Sequence, residues 1–288
     1  MSIQITGTTR LGGLLGSPVS HSISPLMHNK SFRLLGLDLI YLCFDLQTED
    51  LPCTVEALRR MNVFGFNLTM PLKTAVISCL DELSEEAALI GAVNTVKNDH
   101  GRLIGYNTDG MGFMHSVRDQ GMDVAGKSVV LLGAGGAASA IAVQAALDGA
   151  AALHLVSRRG RSWEHARELV ARICERTNCQ ADLTDLADLP TLSDLLAKGD
   201  LLINATSVGM EPDTNASPLA DPDLLRPGLL VGDVIYHPRE TLLLKQARER
   251  GCATFNGMHM LLYQGEAAFR IWTDRDMPTE HIRQLYFS

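Results

Sequence analysis

Residues Lys127 to Ala138 read KSVVLLGAGGAA, and this stretch decides the fold of the chain. Its first part, Ser128 to Leu132, is apolar without alternation, which is typical of a strand buried on both faces of a parallel sheet. A glycine-rich turn follows and matches the pattern G-x-G-x-x-G/A. An alanine-rich segment then continues to about Leu147 and predicts a helix. Strand, glycine turn and helix in this order predict a Rossmann-like βαβ unit.

The glycine turn itself predicts a dinucleotide site. Gly133 permits a tight turn, Gly135 lets the backbone approach a pyrophosphate, and the small Ala138 allows the helix to pack closely on the strand. The N–H groups and the positive end of the helix then face the phosphates. We therefore assign cofactor binding to the whole turn, comprising Gly133, Ala134, Gly135, Gly136 and Ala137. The alternative is a glycine-rich turn that binds nothing.

The next strand, Leu153 to Val156, ends where the choice of cofactor is made. An NAD site places an acidic residue near this point to bind the ribose hydroxyls. This chain has Ser157, Arg158 and Arg159 instead, and no acid follows through Arg161. A guanidinium fits a 2′-phosphate that a carboxylate would repel. The sequence therefore predicts NADP, with NAD as the alternative cofactor and a solvated basic loop as the alternative structure.

Strand-like and helix-like segments alternate on both sides of this unit and predict an α/β protein with two domains. Strands are expected at 11–15, 39–46, 65–70, 201–204 and 229–233, and a hairpin is expected around residues 98–101. The pattern restarts at Gly126-Lys127, after a helix that follows Tyr106-Asn107-Thr108, and the domains divide near residue 108. We place one domain at residues 1–108 and a Rossmann-like, doubly wound parallel-sheet domain at 109–257. Helices at 258–288 are expected to return to the first domain.

Composition excludes several classes of partner. The formal net charge is -8 at pH 7, so no overall positive field attracts nucleic acid or an anionic membrane. We see neither a signal peptide nor a stretch long enough to span a membrane, and expect a cytoplasmic protein. The six cysteines contain no CxxC pair and are expected to be buried thiols. The nine histidines show no metal-ligand spacing, so we predict no metal site.

Six further segments give the chain a recognisable pattern along almost its whole length. They are SPVSHSISP at 17–25, NLTMPLK at 67–73, GAVNT at 91–95, YNTDG at 106–110, NATSVGM at 204–210 and MLLYQG at 260–265. Together with the glycine turn, they resemble the shikimate/quinate dehydrogenase family. The resemblance implies an N-terminal α/β substrate domain, a Rossmann-like cofactor domain, and reversible NADP-dependent hydride transfer between 3-dehydroshikimate and shikimate.

The resemblance also implies roles for individual residues. Lys73 and Asp109 would be the catalytic pair. The substrate-binding residues would be Ser22, Ser24, Thr69, Lys73, Asn94, Asp109, Tyr236 and Gln264. Besides the glycine turn, the cofactor-binding residues would be Ser157, Arg158, Arg159, Thr206, Ser207, Ile235, Gly257 and Met260.

These residue types suit the oxidation of a secondary alcohol. The protein must supply an acid/base group within hydrogen-bond reach of the hydroxyl, and Lys73 follows a predicted strand and a turn from which it can project. Asp109 would orient both groups. Ser24 is expected to cap the helix that Pro25 begins, and a helix start with two hydroxyls can receive a carboxylate. Thr69, Asn94 and Gln264 supply neutral donors and acceptors for ring hydroxyls.

The sequence leaves several alternatives open. Quinate could replace shikimate, and an NAD-preferring enzyme for quinate, shikimate or a related cyclic hydroxy acid would keep Lys73 and Asp109. A catalytically silent protein that senses NADPH is the alternative from another class. The small cyclic acid is the expected partner, and the chain could be a monomer or a homodimer.

Overall fold

The computed structural model of the chain describes residues 5–287 and separates into two units. The first unit comprises Met1–Thr108 and Leu262–Ser288, and the second comprises Asp109–Leu261. The outer ends of the predicted domains, at residues 1–4 and at Ser288, lie outside the described residues. Each unit contains one six-stranded sheet.

The first 108 residues form six strands and three helices within the described range. These are β1 (Arg10–Gly16), α1 (Ser24–Leu34), β2 (Leu39–Asp45), α2 (Leu51–Arg60), β3 (Gly65–Leu68), β4 (Glu82–Leu83), α3 (Glu85–Ile90), β5 (Thr95–Asp99) and β6 (Arg102–Tyr106). Short 3-10 helices precede α2 and follow β3, at Thr48–Asp50 and Ala75–Cys79.

The rest of the chain alternates helices and strands and then ends in two helices. These elements are α4 (Asp109–Asp119), β7 (Ser128–Leu132), α5 (Gly136–Leu147), β8 (Ala152–Ser157), α6 (Trp163–Arg176), β9 (Gln180–Asp185), α7 (Leu189–Lys198), β10 (Leu201–Asn204), β11 (Leu230–Asp233), α8 (Leu242–Glu249), β12 (Ala253–Phe255), α9 (Met258–Thr273) and α10 (Thr279–Tyr286).

The sheet of the first unit is mixed, with the strand order β2-β1-β3-β5-β6-β4. Strands β2, β1 and β3 are parallel, whereas β5 runs antiparallel to both β3 and β6. The carboxyl ends of β1, β3 and β6 therefore lie at the same edge as the beginning of β5. We call this edge, with the turns that leave it, the first edge.

The last helices contribute to the core of the first unit. The Trp272 indole N–H donates to the Val96 carbonyl at 3.0 Å, and Gly265 lies so close to Met27 that a Cβ would be 2.9 Å from the Met27 sulfur. His28 and Phe269 lie in the same aromatic cluster, with ring centroids 6.4 Å apart. Helix α9 therefore packs on α1 and on the sheet.

The sheet of the second unit is entirely parallel, with the order β9-β8-β7-β10-β11-β12. This is the Rossmann order, in which the direction of strand succession reverses between β7 and β10. Val130 and Leu132 of β7 pack with Leu192 of α7 and Leu243 of α8 in one buried cluster. We call the edge formed by the carboxyl ends of these strands the second edge.

The predicted strands and the hairpin are confirmed, but two local predictions are wrong. Helix α1 begins at Ser24 itself, after Ile23, and no side chain caps it. The backbone at this point already follows the helix at Ile23, so the Ser24 hydroxyl is not placed over the first turn. The six cysteines are free, but only Cys179 and Cys252 are buried as expected. Cys43 and Cys79 are half-buried, and Cys53 and Cys174 are exposed because each lies on the outer side of its helix.

Candidate functional site

The turns that leave the first edge are held together by backbone hydrogen bonds. The Thr69 N–H donates to the Leu15 carbonyl at 2.9 Å, and the Ser17 N–H donates to the Met70 carbonyl at 3.0 Å. A Cβ at Gly16 would overlap the Thr69 side chain, so glycine is required for this close approach. The turn after β1, which carries the two predicted serines, therefore lies against the turn after β3.

Lys73 and Asn94 are brought to the same place by the backbone between them. The Lys73 carbonyl accepts the Val93 N–H at 2.8 Å, and the Leu72 N–H donates to the Thr69 carbonyl at 2.9 Å. Lys73 and Thr69 are half-buried, whereas Asn94 is 2% exposed. Three of the predicted substrate-binding residues therefore share one edge of one sheet.

The Asn94 side chain belongs to a buried polar network. Its Oδ1 accepts the Thr108 N–H at 2.9 Å and the Thr95 hydroxyl at 2.9 Å, and its Nδ2 donates to the Thr108 hydroxyl at 3.0 Å. On the other side, the Asn67 amide donates to the Thr95 hydroxyl at 2.9 Å and to the Asn94 carbonyl at 3.1 Å. Both amides are thus fixed in orientation before any ligand binds. The hydroxyl-binding role of Asn94 stays a prediction.

Ser22, Ser24 and Gln264 also belong to the first unit. The Ser22 hydroxyl oxygen accepts the Ser24 N–H at 3.2 Å, and both serines are half-buried just before and at the start of α1. Gln264 lies on α9, next to the Gly265 that packs on Met27 of α1. The sequence predicted the three from two separate motifs, and the fold places the serines at the start of α1 and Gln264 on α9, which packs on α1.

Asp109 and Tyr236 belong to the second unit. Asp109 is the first residue of α4 and is half-buried. The next residue, Gly110, allows α4 to approach α5 closely, because a Cβ there would overlap the Ala140 carbonyl. Tyr236 follows β11 and its ring lies 4.8 Å from the His237 ring, at an angle of 57°.

The glycine turn has the geometry that a dinucleotide needs. Gly133 begins the turn out of β7 with φ +119°, and a Cβ at this position would lie 2.8 Å from the Ala205 carbonyl oxygen. Gly135 precedes α5. Apart from the adjoining backbone, no atom of residues 5–287 lies within 4 Å of where a Cβ would stand at Gly135 or Gly136. Ala138 is fully buried between helix and sheet. The turn is therefore tight on the protein side and open on the other.

The predicted cofactor residues after β10 and β11 lie on neighbouring strands. Thr206 and Ser207 follow β10, which pairs with β7, so they stand beside the glycine turn where the strand order reverses. The Gly257 N–H donates to the Ile235 carbonyl at 3.1 Å, which joins the turn after β11 to the start of α9, where Met260 is half-buried. The second edge thus brings together the cofactor residues predicted from five separate segments.

The arginines after β8 differ from one another. The Arg159 guanidinium is paired with Asp185 at 2.8 Å and lies 4.9 Å from the ring centre of Trp163. Arg158 is exposed and forms no ion pair with any residue in the range 5–287. Asp185 ends β9, the strand beside β8, and the sequence reasoning did not include it. The Asp185 carboxylate therefore neutralises the charge of Arg159, whereas the Arg158 guanidinium is exposed and can bind an anion.

Sequence reasoning also missed two buried residues at the second edge. Asn204 and Asp233 are the last residues of β10 and β11, are directly paired across the two strands, and are both 0% exposed. A polar residue at the end of each of two successive apolar runs was the available signal. Asn204 opens the NATSVGM segment but was given no role there, and Asp233 belongs to none of the motifs.

The parts of the chain that the structure describes contain no metal or membrane feature. No group of three or more His, Cys, Asp or Glu side chains in residues 5–287 is arranged to hold a metal ion. No helix in that range is both long and apolar enough to cross a bilayer.

The chain is similar to known proteins along almost its whole length. Residues 14–96 match the shikimate dehydrogenase substrate binding domain, and residues 257–285 match the shikimate 5'-dehydrogenase C-terminal domain. The shikimate dehydrogenase (NADP(+)) of Listeria innocua is 45% identical over 99% of this chain and 98% of its own length. A quinate/shikimate dehydrogenase of Escherichia coli is 41% identical over 98% of each chain.

A solved structure is similar over the whole chain. The crystal structure of shikimate 5-dehydrogenase from Listeria monocytogenes, in complex with shikimate and NAD, superposes with a TM-score of 0.96. Its sequence is 44% identical, and the match covers 99% of both chains.

Proposed function

This chain belongs to the shikimate dehydrogenase family, and we infer that it catalyses the reversible NADP-dependent interconversion of 3-dehydroshikimate and shikimate. The observation that carries the assignment is the similarity of the whole chain to such enzymes, at 45% identity over 99% of its length. The residue roles below are proposals that rest on the geometry of the two edges.

The second edge suits NADP in shape and charge. Gly133 brings the turn against Ala205, while the space beside Gly135 and Gly136 is open for a pyrophosphate. Arg158 offers an unpaired guanidinium beyond β8, where a 2′-phosphate is bound in sites of this kind. When bound, the nicotinamide exchanges a hydride with the ring carbon that bears the reacting hydroxyl.

We assign proton transfer to Lys73. A secondary alcohol that loses hydride must also lose its hydroxyl proton, and the ammonium or amine of Lys73 can exchange that proton. The 2.8 Å bond from the Val93 N–H to the Lys73 carbonyl fixes the backbone from which the side chain projects. Asp109 is proposed as the carboxylate of the catalytic pair, and its position as the first residue of α4 fixes its backbone.

The remaining first-edge residues are proposed to recognise the substrate. Ser22 and Ser24 would bind its carboxylate with hydroxyl and backbone N–H donors at the start of α1. Thr69, Asn94 and Gln264 would bind ring hydroxyls, and Tyr236 of the second unit would also contact the substrate. A site built from fixed hydrogen-bonding groups discriminates strongly against analogues that lack a hydroxyl, because its buried polar groups are then left unpaired.

Two observations favour a second candidate, an enzyme that also uses quinate or NAD. The Escherichia coli relative carries the name quinate/shikimate dehydrogenase, and the Listeria monocytogenes structure holds NAD. The ion pair between Arg159 and Asp185 also removes part of the positive charge that would select a 2′-phosphate. Localisation in the cytoplasm and a monomeric or homodimeric state stay predictions from the sequence.

The test is a steady-state assay that crosses shikimate and quinate with NADP and NAD, followed through the absorbance of the reduced nicotinamide. The proposal predicts the highest kcat/KM for shikimate with NADP. Turnover mainly with NAD would contradict the cofactor assignment, whereas turnover only with quinate would contradict the substrate assignment. Tight NADPH binding without any turnover would indicate a sensing protein.

A further inference from the structure

Asp233, at the end of β11, is a fully buried carboxylate that has no role in the proposed site. Its Oδ1 accepts the Ile235 N–H at 3.0 Å, and its Oδ2 accepts the Thr241 hydroxyl at 2.8 Å. Both oxygens also accept the Asn204 amide at 3.1 Å. Burial raises the pKa of Asp233 to about 6, while these hydrogen bonds act to lower it. The donors are neutral, so the charge is stabilised by hydrogen bonds rather than by a cation.

Asp233, together with the Val208 carbonyl that accepts the same Nδ2 at 3.3 Å, determines which way the Asn204 amide faces. The Nδ2 of Asn204 points to the carboxylate, so its Oδ1 is directed to the turn after β10. There it accepts the Thr206 N–H at 3.1 Å and the Thr206 hydroxyl at 2.7 Å. The Thr206 hydroxyl oxygen in turn accepts the Val208 N–H at 3.1 Å. The turn that carries Thr206 and Ser207 therefore takes its shape from a carboxylate on the neighbouring strand.

The same carboxylate fixes the turn after β11. Its Oδ1 accepts the N–H of Ile235, and the carbonyl of the same residue, in the next peptide unit, accepts the Gly257 N–H at 3.1 Å. Gly257 has no room for a side chain, because a Cβ there would overlap the Val234 carbonyl. The position of Gly257 at the start of α9 therefore depends on the backbone that Asp233 holds.

Thr241 connects this network to a third element. Its hydroxyl donates to Asp233, and the same oxygen accepts the Leu244 N–H at 3.4 Å at the first turn of α8. A single buried carboxylate thus joins the turn after β10, the turn after β11 and the start of α8.

We propose that Asp233 is a positioning residue for the cofactor, which acts through Asn204 and Ile235 to hold Thr206, Ser207 and Gly257 where the dinucleotide binds. The inference rests on the proposed cofactor site. Asp233 itself is covered by protein and touches neither ligand. Its contribution is to fix two turns before binding, so that their ordering does not weaken the affinity.

The chemistry of the network requires a carboxylate rather than an amide. The Ile235 N–H cannot accept, and the Asn204 amide presents its Nδ2, so an asparagine would direct one of its own N–H groups at a donor even if the Thr241 hydroxyl turned to accept the other. A buried donor without an acceptor is costly, and the turns would shift to relieve it. Asp233→Asn changes one atom and is therefore a sharp test of the proposal.

The measurement is NADPH binding by titration calorimetry to the whole protein, together with KM and kcat. We expect Asp233→Asn to raise the Kd of NADPH about tenfold, as one displaced buried hydrogen bond would do. The KM for shikimate and the kcat at saturating NADP should stay within about twofold of wild type, since the first edge is untouched. A weaker affinity for NADPH with an unchanged KM for shikimate indicates a positioning role, whereas general destabilisation would affect both ligands.

Asp200→Asn is the matched control. Asp200 precedes β10 at the opposite edge of the same sheet, where its carboxylate accepts the Ser128 N–H at 2.9 Å. This variant should lower the melting temperature without changing the Kd of NADPH. An unchanged Kd in folded Asp233→Asn, or equal effects of the two variants on the Kd, would overturn the proposal.

A second pair of variants keeps the test available if Asp233→Asn does not fold. Thr241→Val removes the hydroxyl that donates to Asp233, whereas Thr241→Ser keeps it. The valine variant should bind NADPH about threefold more weakly than the serine variant, a fraction of the effect of one full hydrogen bond. Equal binding by the two would contradict the proposal. Because calorimetry needs no turnover, a wild type that binds NADPH without catalysis would contradict the proposed function alone.

Discussion

The first edge and the second edge of this protein differ in what forms their surfaces: polar side chains at the first edge, and backbone of the glycine turn at the second. At the first edge, side chains hold one another: Asn94 is bonded to Thr95 and Thr108, and its orientation is set by these contacts. At the second edge, the glycine turn contributes space and backbone N–H groups, and its side chains are absent or small. In the proposed site, fixed polar side chains of the first edge would contact the small polyhydroxylated ring, whereas the backbone of the glycine turn would leave room for the larger, phosphate-bearing cofactor.

The largest effect that this comparison predicts is at the first edge. Lys73→Ala should lower kcat about 10²- to 10⁴-fold, because general acid/base catalysis supplies an acceleration of that size. The Kd of NADPH, measured by calorimetry, should not change, since the second edge is intact.

Lys97→Ala is the control for the lysine variant. Lys97 belongs to β5 of the same sheet and is paired with Asp274 at 3.4 Å, away from the turns of the first edge. Its kcat should match wild type. A Lys73→Ala enzyme with wild-type kcat would remove the proposed proton-transfer role.

The second prediction concerns the charge beyond β8. Arg158→Ala should raise the KM for NADP about 10- to 100-fold, the effect of one lost charge-assisted hydrogen bond, and leave the KM for NAD unchanged. Arg159→Ala should have a smaller effect, because its guanidinium is already paired with Asp185. Steady-state kinetics with both cofactors measure the difference. Equal losses for NADP and NAD in Arg158→Ala would contradict selection of the 2′-phosphate.

The third prediction tests the space at the glycine turn. Gly133→Ala forces a Cβ to 2.8 Å from the Ala205 carbonyl at a φ of +119°. The turn must shift to relieve this contact. Since such strain costs about 1–3 kcal/mol, we expect the Kd of NADPH to rise about tenfold. Gly126→Ala also has a positive φ, +73°, but open space, so it should lose stability and keep its affinity. The same loss of affinity in both variants would mean that strain alone is responsible.

A further prediction distinguishes the cores of the two units by the pH dependence of their stability. His28 of the first unit is fully buried without a hydrogen-bond partner among residues 5–287, and burial lowers its pKa from 6.5 to about 3. Between these values the unfolded chain binds a proton that the folded chain does not, so stability falls as the pH drops from 6.5 toward 3. The expected slope is up to about 1.4 kcal/mol per pH unit.

The buried carboxylate of the second unit acts in the opposite sense. The pKa of Asp233 is raised from 3.8 to about 6, so its contribution to stability is present below pH 3.8 and is lost as the pH rises through 6. The free energy of unfolding in urea, measured at pH 4, 5 and 6 for wild type, His28→Leu and Asp233→Asn, gives the contribution of each group to the pH dependence of stability. His28→Leu should flatten the acid loss, and a steeper acid loss in that variant would contradict the account of His28.

The sequence predicted the second edge better than the first. A strand, a glycine turn and a helix follow one another along the chain, so Gly133, Gly135 and Ala138 could be assigned their places from local pattern alone. Thr69, Lys73 and Asn94 meet only through pairing between β3 and β5, and their roles came from resemblance. The ion pair of Arg159 could not be predicted from local sequence, because its partner Asp185 lies 26 residues away at the end of β9.

The buried network around Asp233 could not be predicted because it depends on register. Asn204 and Asp233 are opposite one another only because β10 and β11 pair in parallel with Leu201 beside Leu230. A shift of one residue would separate them. The Ser24 cap failed for a similar reason, since the backbone at Ile23, rather than the identity of the next residue, decides where the helix begins.

The most direct test of the division between the two edges is a double-mutant cycle of Lys73→Ala and Arg158→Ala, read as kcat/KM for NADP with shikimate saturating. One residue acts on the chemical step and the other on cofactor affinity, so the account predicts that the two losses multiply in the double variant. If the kcat/KM of the double variant is no lower than that of Lys73→Ala alone, the two residues act as one unit, which contradicts independent roles for the two edges.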